Sequence, residues 1–154
     1  MKHNWEYKRL GDDATYVNGY AFKPTDWIES GYPIIRIQNL NNSDAIYNYS
    51  NGNIPSKYFV SDGDLLISWS ASLGAYIWHG EKAVLNQHIF KVIPQGVSKD
   101  YLFYLLKSLQ PTFAYIASNK QTTGLGHVTI ADLKRLNVNV HSLEEQQHIV
   151  DTKC

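Results

Sequence analysis

The chain predicts a single α+β domain, strands first and helices late. Three observations carry that expectation. Within Gly63–Pro94 lie three apolar runs, Leu65–Ile67, Tyr76–Trp78 and Ile89–Ile93, rich in β-branched and aromatic residues and bounded by turn formers. From Ser98 onward the apolar residues Tyr101, Leu102, Leu105, Leu106 and Leu109 recur at helical spacing instead. A length of 154 residues is enough for one domain with a real core. The expected architecture is a curved mixed or antiparallel sheet with short flanking helices and the beginning of a C-terminal coiled-coil-type helix.

The elements follow in order. Trp5–Asp12 is a short strand or turn leading into the domain. Asn18-Gly19 is a strong turn pair. Thr25 caps a short helix over Asp26–Ser30, which Gly31 ends. Tyr32-Pro33 restarts the chain in extended form. Ile34–Leu40 alternates as a strand, with Ile35 and Ile37 on one face and Arg36 and Gln38 on the other. Residues 41–53 are polar and turn-rich, an exposed loop or hairpin, and Ile54–Val60 reads as an irregular connector.

Ser61–Asp64 is a turn that delivers the chain into the strands of Gly63–Pro94, and His79–Lys82 is a second turn joining two strands as a hairpin. Ser98 is an N-cap with Asp100 in the first turn. Pro111 interrupts, and Thr112–Ser118 forms a further short helix. Residues 119–127 form a loop, after which Thr129 and Asp132 cap another short helix. Leu136–Val140 alternates as a strand. Ser142-Leu143-Glu144-Glu145 is a capping box opening a final helix. A helix of about a dozen residues is marginal alone, so the first turns of a longer helix are expected there. The division is 1–141 for the domain and 142–154 for the helix start.

Composition narrows the function. Lys plus Arg and Asp plus Glu both number 14, so the net charge is zero. That argues against a non-specific polyanion binder but leaves room for a specific one with a basic face. An apolar content of 44% and a mean hydropathy of −0.33 belong to a soluble globular chain. No apolar run approaches the about 20 residues that span a bilayer. The N-terminus has no apolar export signal, and the single cysteine, Cys154, fits a reducing cytoplasmic setting. Eleven Tyr and four Trp serve either a core and its rim or a recognition surface.

The motifs for chemistry are sparse. There is no GxxxxGK[ST] loop, no GxGxxG opening a helix and no HExxH. The six histidines are scattered without metal-ligand spacing. Asp62 and Asp64 suit acid/base or Mg²⁺ work, but they flank Gly63 in a turn where Asp is favoured for backbone reasons. No catalytic or metal site is expected. Gly124-Leu125-Gly126, beside Lys120, Gln121, Thr122, Thr123 and His127, puts flexible backbone next to a cation, an amide and hydroxyls. Phosphate and base-edge contacts use such groups.

Six pieces in order carry a resemblance: Trp5-x4-Leu10-Gly11; Gly31-x-Pro33-x-Ile35-Arg36-Ile37-x-Asn39-Leu40; Gly63–Ser68; Asn86-Gln87-His88; Gly124–Thr129; and Leu143-Glu144-Glu145-Gln146-Gln147-x-Ile149-Val150. Together they resemble a target recognition domain of the DNA specificity subunit of a type I restriction-modification system. Two departures stand out: Val140-His141-Ser142 occupies the place where the family has proline, and the final helix ends at Cys154 rather than running on.

The resemblance implies a subunit with two recognition domains joined by antiparallel helices, each domain reading one half of a bipartite DNA site. It places catalysis in partners: a modification subunit that methylates adenine with S-adenosylmethionine, and an ATP- and Mg²⁺-dependent restriction subunit. This chain would need no cofactor. Two copies would associate through the C-terminal helix.

DNA reading then selects side chains. Arg36, Gln38 and Asn39 are candidates, against surface pairing for Arg36 and turn capping for Asn39. Ser68, Trp69, Ser70 and Ser72 form a small-residue loop or a tight turn. Gln87 and His88, with Asn86, are candidates against the alternative that all three satisfy buried backbone, the reading that suits Asn86 better. Lys120, Gln121, Thr122, Thr123, Gly124 and His127 are the leading loop. The rival readings are a glycan-binding module using Tyr and Trp, and a small hydrolase using Asp62 and Asp64.

Overall fold

The computed structural model describes residues 5–42, 44–69, 73–112, 114–115, 130–135, 137–141 and 148–152. Its class is α+β, as expected. The chain divides into two compact units. One comprises Met1–Thr15, Ser70–Leu73 and Ile93–Cys154, the other Tyr16–Trp69 and Gly74–Val92.

Strands β1 (Trp5–Arg9) and β10 (Asn137–His141) form a two-stranded antiparallel sheet in which Trp5 lies opposite His141 and Arg9 opposite Asn137. A four-stranded sheet has the order β2-β9-β6-β7, from β2 (Ala14–Asn18), β9 (Ile89–Pro94), β6 (Leu65–Trp69) and β7 (Leu73–Ile77). A second has the order β4-β3-β8-β5, from β4 (Asn48–Ser50), β3 (Tyr32–Ile35), β8 (Ala83–Leu85) and β5 (Phe59–Val60). The second sheet is mixed: β3 runs parallel to β8 and antiparallel to β4.

In the unit of Tyr16–Trp69 and Gly74–Val92, the core clusters Ile35, Val60, Leu66, Trp78, Ala83, Leu85 and Ile89. Each fully buried Leu or Ile there contributes about 1.5–3 kcal/mol relative to exposure. Lys91 stands between buried Phe90 and Val92 in β9 and sends its ammonium to the Phe59 carbonyl, 2.8 Å away.

The other unit holds helix α1 (Leu10–Asp13), helix α3 (Lys99–Ser108) and helix α4 (Ile130–Arg135), with Leu10, Leu102, Leu106 and Leu133 fully buried. Ser98 caps α3 as its residue type predicts: its Oγ accepts from the Tyr101 N–H at 3.1 Å. Residues 110–112, 114–115 and 148–152 are also helical. Thr129 and residues 142–147, including the expected capping box, lie outside the described residues.

Several local expectations are corrected. The strand over Ile34–Leu40 stops at Ile35, and Ile37–Asn41 is a short helix, α2. The Asn39 side chain turns back to accept the Arg36 N–H at 3.0 Å, which ends the extended run. The helix over Asp26–Ser30 is instead a 3₁₀ turn at Pro24–Asp26, set by the Lys23 N–H donating to Asp26 Oδ2 at 2.8 Å. Residues 41–53 contain β4, and the connector 54–60 contains β5. The turn after Ile77 is no hairpin: β7 and β8 belong to different sheets, so the turn carries the chain from one to the other.

Candidate nucleic-acid interface

The polar clusters singled out in the sequence have different structural roles. In the first, Asn39 is only 5% exposed. Its amide nitrogen donates to the carbonyls of Ala45 and Ile46 at 3.4 and 3.3 Å. Arg36 Nη2 donates to the same Ile46 carbonyl at 2.9 Å. Both side chains clamp the loop after α2, and only Gln38 of the three is exposed. The capping alternative holds for Asn39.

The small-residue loop divides. Ser68 is buried in β6 at 4% exposure, which withdraws it from an accessible face. The Trp69 side chain, Ser70 and Ser72 lie outside the described residues, as does the whole loop of Lys120, Gln121, Thr122, Thr123, Gly124 and His127.

The turn at Asn86–His88 is built differently. The Asn86 N–H donates to the Ile35 carbonyl at 3.1 Å, and the Gln87 N–H to the Tyr20 carbonyl at 2.9 Å. The His88 N–H donates to Asn18 Oδ1 at 3.3 Å, and the Ile89 N–H closes the turn on the Asn86 carbonyl at 3.4 Å. From the facing segment, Gly19 N–H donates to Ile89 and Tyr20 N–H to Leu85. The backbone N–H groups of the turn are thus satisfied by main chain and by one asparagine. The Gln87 and His88 side chains are exposed. Gly19 is required: a Cβ there would run into the Asn86 carbonyl.

Aromatic rings extend from this turn. The Tyr20 ring meets Phe22 and Tyr58 edge-on, with centroids 4.8 and 5.3 Å apart. Lys57 Nζ lies 5.1 Å from the Tyr58 ring centroid, a cation–π contact at an exposed lysine. At the Tyr20 and Phe22 rings, a groove of about 280 Å³ is lined by these two and by Thr25, Asp26, Ser50 and Asn53 among others. Neither Lys57 nor Asn18 was selected from sequence. The Asn18-Gly19 pair was visible only as a turn signal.

The two carboxylates considered for acid/base work are turn ligands. Asp64 Oδ2 accepts the Ser61 N–H at 2.8 Å, and Asp62 Oδ1 accepts the Gly80 N–H at 2.9 Å. Among the described residues no three His, Cys, Asp or Glu side chains gather as a metal site, and no helix is long and apolar enough to cross a membrane. Near Trp78, burial pushes the Tyr47 hydroxyl above its ordinary value, with Tyr49 adding to the rise.

The arrangement is that of a sheet scaffold presenting polar turns, a form suited to recognition. A family model described as the type I restriction modification DNA specificity domain matches residues 2–152, and the chain belongs to that family. It is 27% identical over 150 residues to the type I restriction enzyme EcoBI specificity subunit of Escherichia coli, covering 96% of this chain and 31% of that relative. The fold matches a chain from a structure concerned with complex assembly and conformational transition of the type I R-M system. That match has a TM-score of 0.77 at 19% identity, over 99% of this chain and 38% of the other. It also matches the HsdS subunit from Thermoanaerobacter tengcongensis, with a TM-score of 0.74 at 18% identity, over 99% and 37%. The chain therefore spans less than two fifths of the length of each of these relatives.

Proposed function

We propose that this chain is a non-catalytic, sequence-specific reader of duplex DNA that recognises one half of a bipartite site. It directs adenine methylation and restriction by a modification subunit and a restriction subunit, which supply S-adenosylmethionine chemistry and ATP-driven cleavage. The observation that carries this reading is the family match running from residue 2 to residue 152. Residues 1–141 act as the recognition domain and 142–154 as the start of a spacer helix through which two copies pair. The setting is cytoplasmic, where the DNA substrate is.

Major-groove reading needs amides and cations on exposed, rigid supports. Gln38, Gln87 and His88 offer exposed side chains among the described residues. The loop of Lys120–His127 remains a proposed contact on its sequence chemistry. Methylome sequencing of cells carrying the intact system tests the reading. A bipartite methyladenine motif should appear and should vanish when this chain is deleted. A methyladenine pattern indifferent to the deletion would refute it.

A further inference from the structure

Gln87 occupies the second position of the Asn86–Ile89 turn. His88, the third, has a φ of +75°, the left-handed value a type II turn requires there and one that glycine usually supplies. A non-glycine residue in that region is held by its surroundings. The holding group is visible: Asn18 Oδ1 accepts the His88 N–H, while Gln87 N–H is bound to the Tyr20 carbonyl. Tyr20 packs on Tyr58, and Tyr58 carries Lys57. One pinned turn thus joins an exposed amide to an exposed cation through two aromatic rings. DNA readers use the two groups differently, the amide on a base edge and the cation on a phosphate.

We propose that Gln87 reads an adenine edge in the major groove, that Lys57 holds a phosphate of the same duplex, and that Asn18 is the positioning residue that fixes the turn. This rests on the DNA-reading function above. The primary amide of glutamine matches the N6 donor and N7 acceptor of adenine in bidentate fashion.

Selection of the full chain on a pool of duplexes with a randomised segment, followed by sequencing, tests all three roles. The wild type should enrich a motif containing an adenine. Gln87→Ala should lose that one preference by roughly 5- to 150-fold and keep the other positions. Gln87→Glu should shift the same position toward cytosine, whose N4 donates to a carboxylate. Asn18→Ala should blur the same position only, and Asn18→Asp, which keeps the acceptor, should restore it. Lys57→Ala should weaken every duplex alike and flatten the log–log salt dependence by about 0.9.

An unchanged motif in Gln87→Ala overturns the base-reading role. Uniform loss across sequences in Asn18→Ala overturns the positioning role, and an unchanged salt slope in Lys57→Ala the phosphate role. A wild type that enriches nothing and binds without salt dependence overturns the DNA-reading function itself, and this inference with it.

Discussion

Arg36–Asn39 and Asn86–His88 look alike in sequence: each follows a buried apolar run and each offers amide and basic side chains. In the folded chain they do opposite work. Around α2 the side chains of Arg36 and Asn39 satisfy backbone, closing on the Ile46 carbonyl. Around the Asn86 turn the backbone is satisfied mainly by other backbone, from Ile35, Tyr20 and Asn86 itself. Side chains that complete buried hydrogen bonds are no longer available to a partner, whereas a turn pinned through its main chain can present its side chains at little entropic cost.

The sharpest way to break this contrast is Gly19→Ala. A Cβ there meets backbone, the Asn86 carbonyl, which cannot move without dragging the turn. The variant should lose about 3 kcal/mol, the upper end for overpacking, read as a lowered urea midpoint. Asn39→Ala comes next. It removes the acceptor of the Arg36 N–H and the donor to two carbonyls in a buried place, and should cost about 2 kcal/mol by the same measurement. His88→Gly should act in the other direction, raising the midpoint by about 1 kcal/mol because glycine accepts the positive φ freely. Gln87→Ala should leave stability within about 0.5 kcal/mol, since the side chain is exposed. A large loss from Gln87→Ala, or none from Asn39→Ala, would erase the distinction.

The smallest effect concerns pH. Tyr47 follows the loop that Arg36 and Asn39 clamp, and burial raises its hydroxyl above the ordinary 10.0. Below that value the phenol is neutral in both folded and unfolded chains. As pH rises past 10.0 the unfolded chain ionises first, so folded stability falls through the window up to the raised value. Tyr47→Phe should make the alkaline decline of the urea midpoint shallower. Equal slopes for both proteins would remove Tyr47 as a contributor.

Much of the fold was legible in residue pattern. Strands β6 and β9 fall on two of the apolar runs, β7 overlaps the third only at Tyr76-Ile77 and starts earlier, at Leu73, and α3 begins at the serine its capping chemistry selects. Apolar runs bounded by turn formers, and helix caps, are local, so they survive in sequence. Strand β8 was missed because Ala83-Val84-Leu85, buried at every residue, shows no alternation. Strand β5 was missed because two residues carry no period. Ile34–Leu40 was misread because a period of two continues past Ile35, while the Asn39 side chain ends the strand from four residues further on.

For the candidate interface the division is similar. Sequence alone determined the residue types on offer, the α+β class and the ordered set of motifs that place the chain in its family. The tertiary structure decided which amides are spent inward and which face outward. The reason is that a hydrogen bond between Asn18 and His88 spans 70 positions, and the approach of Gly19 to Asn86 is nearly as distant. No local pattern encodes such pairs. They exist only once the chain has folded and brought the two segments together.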